Sequence, residues 1–377
     1  MTQLELFEDR VLTAPPTEGI KYAGSKLKLL PAILTLIKQV NPQSVLDGFA
    51  GSTRVSQALA QSGYQVFCND KAIWSKVFGQ CYLQSTKPRE TYQPLIEHLN
   101  HLQPIDGWFT HHYGGTVYPN GSAIQEDGLK KPWQRHNTRK LDAIRTEIDT
   151  LVLSEQEKAV ALTSLMLALD QVDSTLGHYV SYLKEWSPRS YNDLTLKVPQ
   201  LFSTDSIHKV SQSDIFALLP NTPVDLAYFD PPYGSSNEKM PPSRVRYSAY
   251  YHVWTSVCLN DEPLLFGKVN RREDSSDTVV SSPFEAFQRN EQGQFVAVEA
   301  IEQLIQQTQA KWILLSYSSG GRATADELNE VINRNGRLLK VQEIDYKKNV
   351  MAEMRWTNQW VQEAQMPNKE FLFLIEK

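Results

Sequence analysis

Apolar residues recur at helical spacing through LKLLPAILTLIKQV (27–40), and Asn41-Pro-Gln-Ser44 breaks the pattern. Val45-Leu46 then begins a short strand that runs into DGFAGSTRVSQALAQSG (47–63). There Val55, Ala58 and Leu59 predict a helix starting near Ser52. Tyr64-Gln-Val-Phe-Cys68 reads as a second strand, ended by Asn69-Asp70. A strand, a glycine-bearing turn, a helix and a strand closing on an acid make the first βαβ unit of a doubly wound nucleotide-binding sheet. Asp70 falls about 20 residues past the turn, where a ribose-binding acid is expected.

The alternation stops between 86 and 205. Tryptophan, tyrosine, histidine and glycine gather in GWFTHHYGGTVYPNG (107–121), followed by the basic, helix-patterned KKPWQRHNTRKLDAIRTEI (130–148) and the apolar AVALTSLMLALDQVDS (159–174). This block predicts an inserted, mostly helical subdomain. Strands return with Leu226–Phe229, 311–317, 338–344 and 371–375. The predicted organisation is a flexible segment over 1–19, one α/β domain formed by 20–85 and 206–377, and the insert at 86–205. A polar stretch, NRREDSSDTVVSSP (270–283), is expected to be a mobile loop.

Composition narrows the class. Hydrophobic residues make up 41% and charged residues 21%, as in soluble globular proteins, and no apolar run approaches a membrane span. The acidic start, MTQLELFEDR, lacks a signal-peptide core, which predicts a cytoplasmic location. Cys68, Cys81 and Cys258 lack metal-ligand spacing, so no metal site or disulfide framework is expected. A net charge of −5 argues against coating nucleic acid by bulk charge, while a local basic groove stays compatible with it.

The chemistry concentrates in two short stretches. In VDLAYFDPPYG (224–234), Pro231 and Pro232 end the ladder and stiffen a loop at the carboxyl end of a strand, where open α/β sheets bind ligands. An ordinary strand-ending turn also fits those residues taken alone. In DGFAGS (47–52), small residues let backbone approach a ligand. Asp47 at the strand tip would repel a pyrophosphate but suit an ammonium or sulfonium charge, both of which S-adenosylmethionine carries. Asp70 suits two ribose hydroxyls, and Asp214 could accept from an adenine amino group or simply cap a helix. An exocyclic amine on a base is a poor nucleophile that improves when two acceptors hold its hydrogens. The Asp230 carboxylate and the Pro231 carbonyl supply two, and Tyr233 offers a face for a base flipped out of a duplex.

KYAGSK (21–26), DGFAGS (47–52) and DPPY (230–233), in that order and with an insert before DPPY, resemble the D12-class (Dam-like, α-group) N6-adenine-specific DNA methyltransferases. YHVW (251–254) and LLSYSS (314–319) are similar to further features of that family. The resemblance implies a Rossmann-like S-adenosylmethionine-dependent methyltransferase sheet, a flipped adenine in double-stranded DNA as substrate, and an insert that recognises the target. It places Asp230, Pro231, Pro232 and Tyr233 at the catalytic centre. Tyr22, Lys26, Asp47, Phe49, Ala50, Gly51, Asp70 and Asp214 fall to the cofactor, with Lys26 pairing its carboxylate. Thr53 stands where many relatives carry glycine, and a β-branched residue there would crowd the cofactor. Lys130, Lys131, Arg135, Arg139 and Lys140 are the candidate phosphate contacts, with Arg271 and Arg272 on a loop that could close over DNA. The aromatic stretch from Trp108 to Tyr118 suits either DNA contact or a small core holding the insert. Cognate restriction or defence proteins are possible partners. The alternatives keep the fold and change the acceptor to cytosine N4, an RNA adenine or a protein amide, or make the chain a silent DNA-binding relative.

Overall fold

The computed structural model describes residues 12–234, 246–276, 282–345 and 369–377. The amphipathic run after KYAGSK forms α1 (Leu30–Val40). Pro31 sits in its first turn, where a missing N–H is tolerated, and Asn41 closes it in left-handed conformation. Then come β1 (Ser44–Asp47), α2 (Arg54–Gln61), β2 (Gln65–Asp70) and α3 (Ile73–Gln84). The insert carries α4 (Gln93–His101), α5 (Trp108–Tyr113), α6 (Arg135–Thr150) and α7 (Glu155–Gln171). The sheet resumes with β3 (Lys209–Gln212) and β4 (Val224–Phe229), followed by α8 (His252–Leu259) and α9 (Val296–Gln307). Last are β5 (Ala310–Ser318), α10 (Ala325–Asn335), β6 (Arg337–Asp345) and β7 (Lys369–Glu376).

Seven strands form one sheet in the order β6-β7-β5-β4-β1-β2-β3. β1 pairs parallel with both β2 and β4, and β7 alone runs antiparallel, between β5 and β6. The chain therefore leaves β1 toward one edge and returns beside it on the other. That reversal opens a crevice at the carboxyl ends of β1 and β4. Both faces of the sheet are covered, so its strands are apolar on both sides. Leu226 and Tyr228 face α1 and α2, while Ala227 and Phe229 face α9 and α10.

Helices dominate 86–205, but the insert is not hung on a linker. Phe78 of α3, Trp133, Ile144 of α6, Leu165 of α7 and Trp254 of α8 lie in one continuous apolar core. α7 is buried on nearly every side, as its apolar run predicts, and a Ser154–Glu157 capping box starts it. Asp142 of α6 anchors α5: its carboxylate accepts from the backbone N–H groups of Gly107, Phe109 and Thr110 and from the Thr110 hydroxyl. Asp142→Ala should leave those donors without partners and destabilise the protein by roughly 2–4 kcal/mol, read as a lower midpoint of urea unfolding.

Two expectations about flexibility need correcting. Of the segment 1–19, residues 1–11 lie outside the described part and 12–19 are tied down: Leu12 N–H donates to Thr35, and Arg54 donates to the carbonyls of Thr17 and Gly19. The first half of 270–283 is also ordered. Arg271–Arg272 pairs with Leu265–Phe266 as a small antiparallel ribbon, because Arg272 is pinned by two carboxylates; residues 277–281 lie outside the described part. Among the described residues no helix is long and apolar enough to cross a membrane.

Candidate active site

A cavity of about 460 Å3 opens at the crevice. Asp47, Phe49, Ala50 and Asp70 line it from the β1–α2 and β2–α3 turns, Asp230, Pro231 and Pro232 from the end of β4, and Tyr22 and Lys26 from the segment before α1. The three stretches singled out in the sequence therefore meet in one place.

Asp47 ends β1 almost fully buried. Its Oδ2 accepts from the Ser56 hydroxyl at 2.6 Å, whereas Oδ1 is buried with no partner. Burial pushes its pKa from 3.8 up to about 7, against the pull of Ser56. Gly48 follows because a Cβ there would lie 2.7 Å from the Phe229 ring. Gly51, at φ +49°, passes under Tyr22, whose ring a Cβ would meet at 3.0 Å. Thr53, at φ 60°, does not crowd the cavity. It is fully buried, and its hydroxyl accepts from the Gln57 side chain at 3.1 Å, so the expected crowding is absent.

Asp70 spends one oxygen on the Gly51 N–H and the other on the Ala72 N–H, both at 2.8 Å. A carboxylate has about four lone-pair positions, so each oxygen keeps capacity for a hydroxyl. Asp214 is exposed at the cavity edge, and its side chain accepts from Phe216 N–H as the cap of the single turn Ile215–Leu218. The helix-cap alternative describes that contact. Tyr22 belongs to an aromatic group with Trp74, Tyr247 and Tyr251, at centroid distances of 5.8, 5.4 and 4.8 Å. Phe284 packs edge-on against Phe49 at 5.4 Å. Sequence reasoning missed Trp74, Tyr247 and Phe284. The tyrosine-rich run SRVRYSAYYHVW was the available signal for Tyr247.

Lys26, expected to pair the cofactor's carboxylate, lines the cavity and meets two acids of the protein. Its ammonium lies 2.8 Å from Asp230 Oδ2 and 3.5 Å from Glu370 Oε1, above the Tyr233 ring at 5.1 Å. The turn through KYAGSK aims it at the end of β4, where its positive charge offsets the buried Glu370 and the partly buried Asp230. The Tyr233 hydroxyl bonds Asp230 Oδ1 and lies 2.5 Å from Glu370 Oε1, and Tyr317 lies beside the ring at 4.9 Å. Asp230 is pushed up from 3.8 to about 6 by burial, pulled down by Lys26 and raised again by Glu370.

The predicted phosphate contacts divide by burial. Lys131 is buried and donates to the His112 carbonyl, and Lys140 donates to the carbonyls of Asn100 and Leu102. Lys130 reaches the Tyr182 carbonyl at 3.2 Å. Arg135 and Arg139 keep substantial exposure and share Asp106. Arg271 donates to the Ser275 carbonyl and lies over Phe266. Arg272, 2% exposed, is held by Asp261 and Asp274, a structural clamp in place of the expected DNA contact. In the aromatic stretch, Phe109 and Tyr113 are buried in the insert core.

A sequence profile of the D12 class N6 adenine-specific DNA methyltransferase family matches residues 22–283. The chain is 27% identical over 333 residues to the type II methyltransferase M.NlaIII of Neisseria lactamica, covering 86% of this chain and 90% of that one. It is 27% identical over 349 residues to modification methylase StsI of Streptococcus sanguinis, spanning 87% of this chain but about half, 48%, of that one. A third relative, the type II methyltransferase M2.HphI of Haemophilus parahaemolyticus, is 23% identical over 388 residues, 96% of this chain and 98% of the other. With its cavity at the switch point of a mainly parallel sheet and its DPPY loop at the end of β4, the chain belongs to the D12 class of N6 adenine-specific DNA methyltransferases.

Proposed function

We propose that the chain methylates N6 of an adenine rotated out of duplex DNA, with S-adenosylmethionine held between Asp47, Asp70 and the Tyr22 aromatic group. The observation that carries this reading is the pairing, in one cavity, of Asp230 at the tip of β4 with the unpartnered Asp47 Oδ1 at the tip of β1. A buried carboxylate oxygen without a donor fits a ligand that brings a cation. The two free acceptor positions of Asp70 suit ribose hydroxyls, and the Tyr22 group suits a flat base. S-Adenosylmethionine supplies an electrophilic methyl group when bound. The protein's own work is then orientation. Asp230 and the Pro231 carbonyl hold the two amine hydrogens so that the nitrogen lone pair points into the cavity, and the two prolines keep both acceptors rigid. Tyr233, held beside Asp230, is the aromatic face we assign to the flipped base.

The helical insert at 86–205 is the part we assign to reading the target, with Arg135 and Arg139 as solvent-accessible cations that could meet phosphates. Its relatives' names place them as modification enzymes, and we assign this chain the same part beside a cognate restriction activity. The test is a nucleoside digest by mass spectrometry after incubation with S-adenosylmethionine and unmethylated duplex DNA, with RNA in parallel. N6-methyldeoxyadenosine from the duplex alone is the expected product. N4-methylcytosine, or methylation of the RNA, would replace the adenine reading.

A further inference from the structure

Glu370 is the second residue of β7, the strand that runs against its neighbours. That reversal sets its beginning level with the end of β5, opposite Ser318, so a residue 137 positions beyond Tyr233 reaches the same loop. Only 7% of Glu370 is exposed, and it lies beside a second, partly buried acid, Asp230. Two anions around one ammonium cost more to bury than a matched pair. A strand that merely had to begin here would be better served by a neutral side chain.

The Tyr233 hydroxyl stands between the two carboxylates, in contact with Asp230 Oδ1 and 2.5 Å from Glu370 Oε1. Ser316, fully buried on β5, donates to Glu370 Oε1 at 2.9 Å. A phenol has one proton to give. The two carboxylates compete for it and for Lys26, and the negative charge of Glu370 raises the proton affinity of Asp230.

We propose that Glu370 is a positioning residue for methyl transfer, which anchors the Tyr233 hydroxyl and, by its negative charge, strengthens Asp230 as the acceptor that faces the amine. The proposal rests on the reading of Asp230 given above. Facing Asp230 are Lys26 from the segment before α1, Glu370 from β7, Tyr233 from its own loop, Tyr228 and Asp47 from the strand ends, and Tyr22 and Tyr247 from the aromatic group. Lys26 is the cation among these, and Glu370 is the nearest other acid the phenol touches. Lys26 and Glu370 therefore act on Asp230 with opposite sign.

The experiment is the single-turnover methylation rate against pH, at saturating cofactor and DNA, for the parent, Glu370→Gln and Glu370→Asp. In the parent the rate should fall below a midpoint of about 6, as Asp230 takes up a proton. Glu370→Gln keeps the shape and the acceptor for Tyr233 but removes the charge, and its midpoint should move down by about one pH unit. Glu370→Asp keeps the charge and should stay near the parent. A glutamine variant whose profile is merely lowered, with the midpoint unmoved, would overturn the proposal. So would a glutamine variant that fails to fold while the aspartate variant folds, since that marks a brace. A parent that forms no N6-methyldeoxyadenosine would instead defeat the underlying reading of the site.

Discussion

Asp230→Ala should lose about 1,000-fold or more in methyl transfer while binding S-adenosylmethionine within a few-fold of the parent. The carboxylate stands at the end of β4, held by Lys26 at 2.8 Å and by the Tyr233 hydroxyl, and it is far from free to turn away. Removing it takes away an acceptor preset for the amine. It also leaves the Lys26 ammonium with Glu370 as its remaining acid in the cluster. None of the cofactor contacts assigned to Asp47, Asp70 or the Tyr22 group passes through Asp230, so affinity should survive. Quench-flow with radiolabelled methyl donor measures the first quantity and titration calorimetry the second. A variant that turns over normally would remove Asp230 from the chemistry. One that loses cofactor binding in parallel would make it a structural residue. Asp230→Asn should fare little better, because its amide either repels Lys26 or turns a donor toward the amine.

Asp47→Asn should weaken S-adenosylmethionine binding by roughly 100-fold and abolish its pH dependence. In the free protein Asp47 is half protonated at about pH 7, because burial disfavours its charge. A cationic ligand binds the ionised form. Below that pH each unit should weaken the parent's affinity about tenfold, with one proton released on binding; above it the affinity should level off. Calorimetry in buffers of different ionisation enthalpy counts that proton. At saturating ligand the effect drops out, so the lower midpoint of Asp230 can be read separately in the maximal rate. The stability of the free protein should respond with the opposite sense. An acid whose folded pKa is raised from 3.8 to about 7 holds its proton more tightly when folded. Its cost is absent below 3.8, grows as pH rises to 7 and is complete above. Asp47→Asn should therefore melt higher than the parent at pH 8, with the gap narrowing as pH falls. A variant with unchanged affinity would place the cofactor's charge elsewhere.

The sequence by itself determined the order of strands and helices around the site and the residues at each strand tip. Asp47, Asp70 and Asp230 line the cavity as their positions predicted, because a short apolar run and the turn ending it specify a strand and its carboxyl end locally. Gly48 and Gly51 are legible as small residues, but the rings that forbid a Cβ there, Phe229 and Tyr22, are brought to them by the fold. Tertiary structure alone decided what those groups face. Lys26 reads as a ligand contact, and only the fold shows that the turn carrying it also brings it to acids at the end of β4 and on β7. Glu370 stands before an apolar strand like many surface acids, and only the antiparallel insertion of β7 brings it to Tyr233. Arg272 and Lys131 read as candidate DNA contacts, yet each is buried, Arg272 against Asp261 and Asp274 and Lys131 against the His112 carbonyl. Periodicity is a property of neighbours along the chain. The acids beside Lys26, and the Glu370 that meets Tyr233, come from segments more than a hundred residues away, where no local pattern records them.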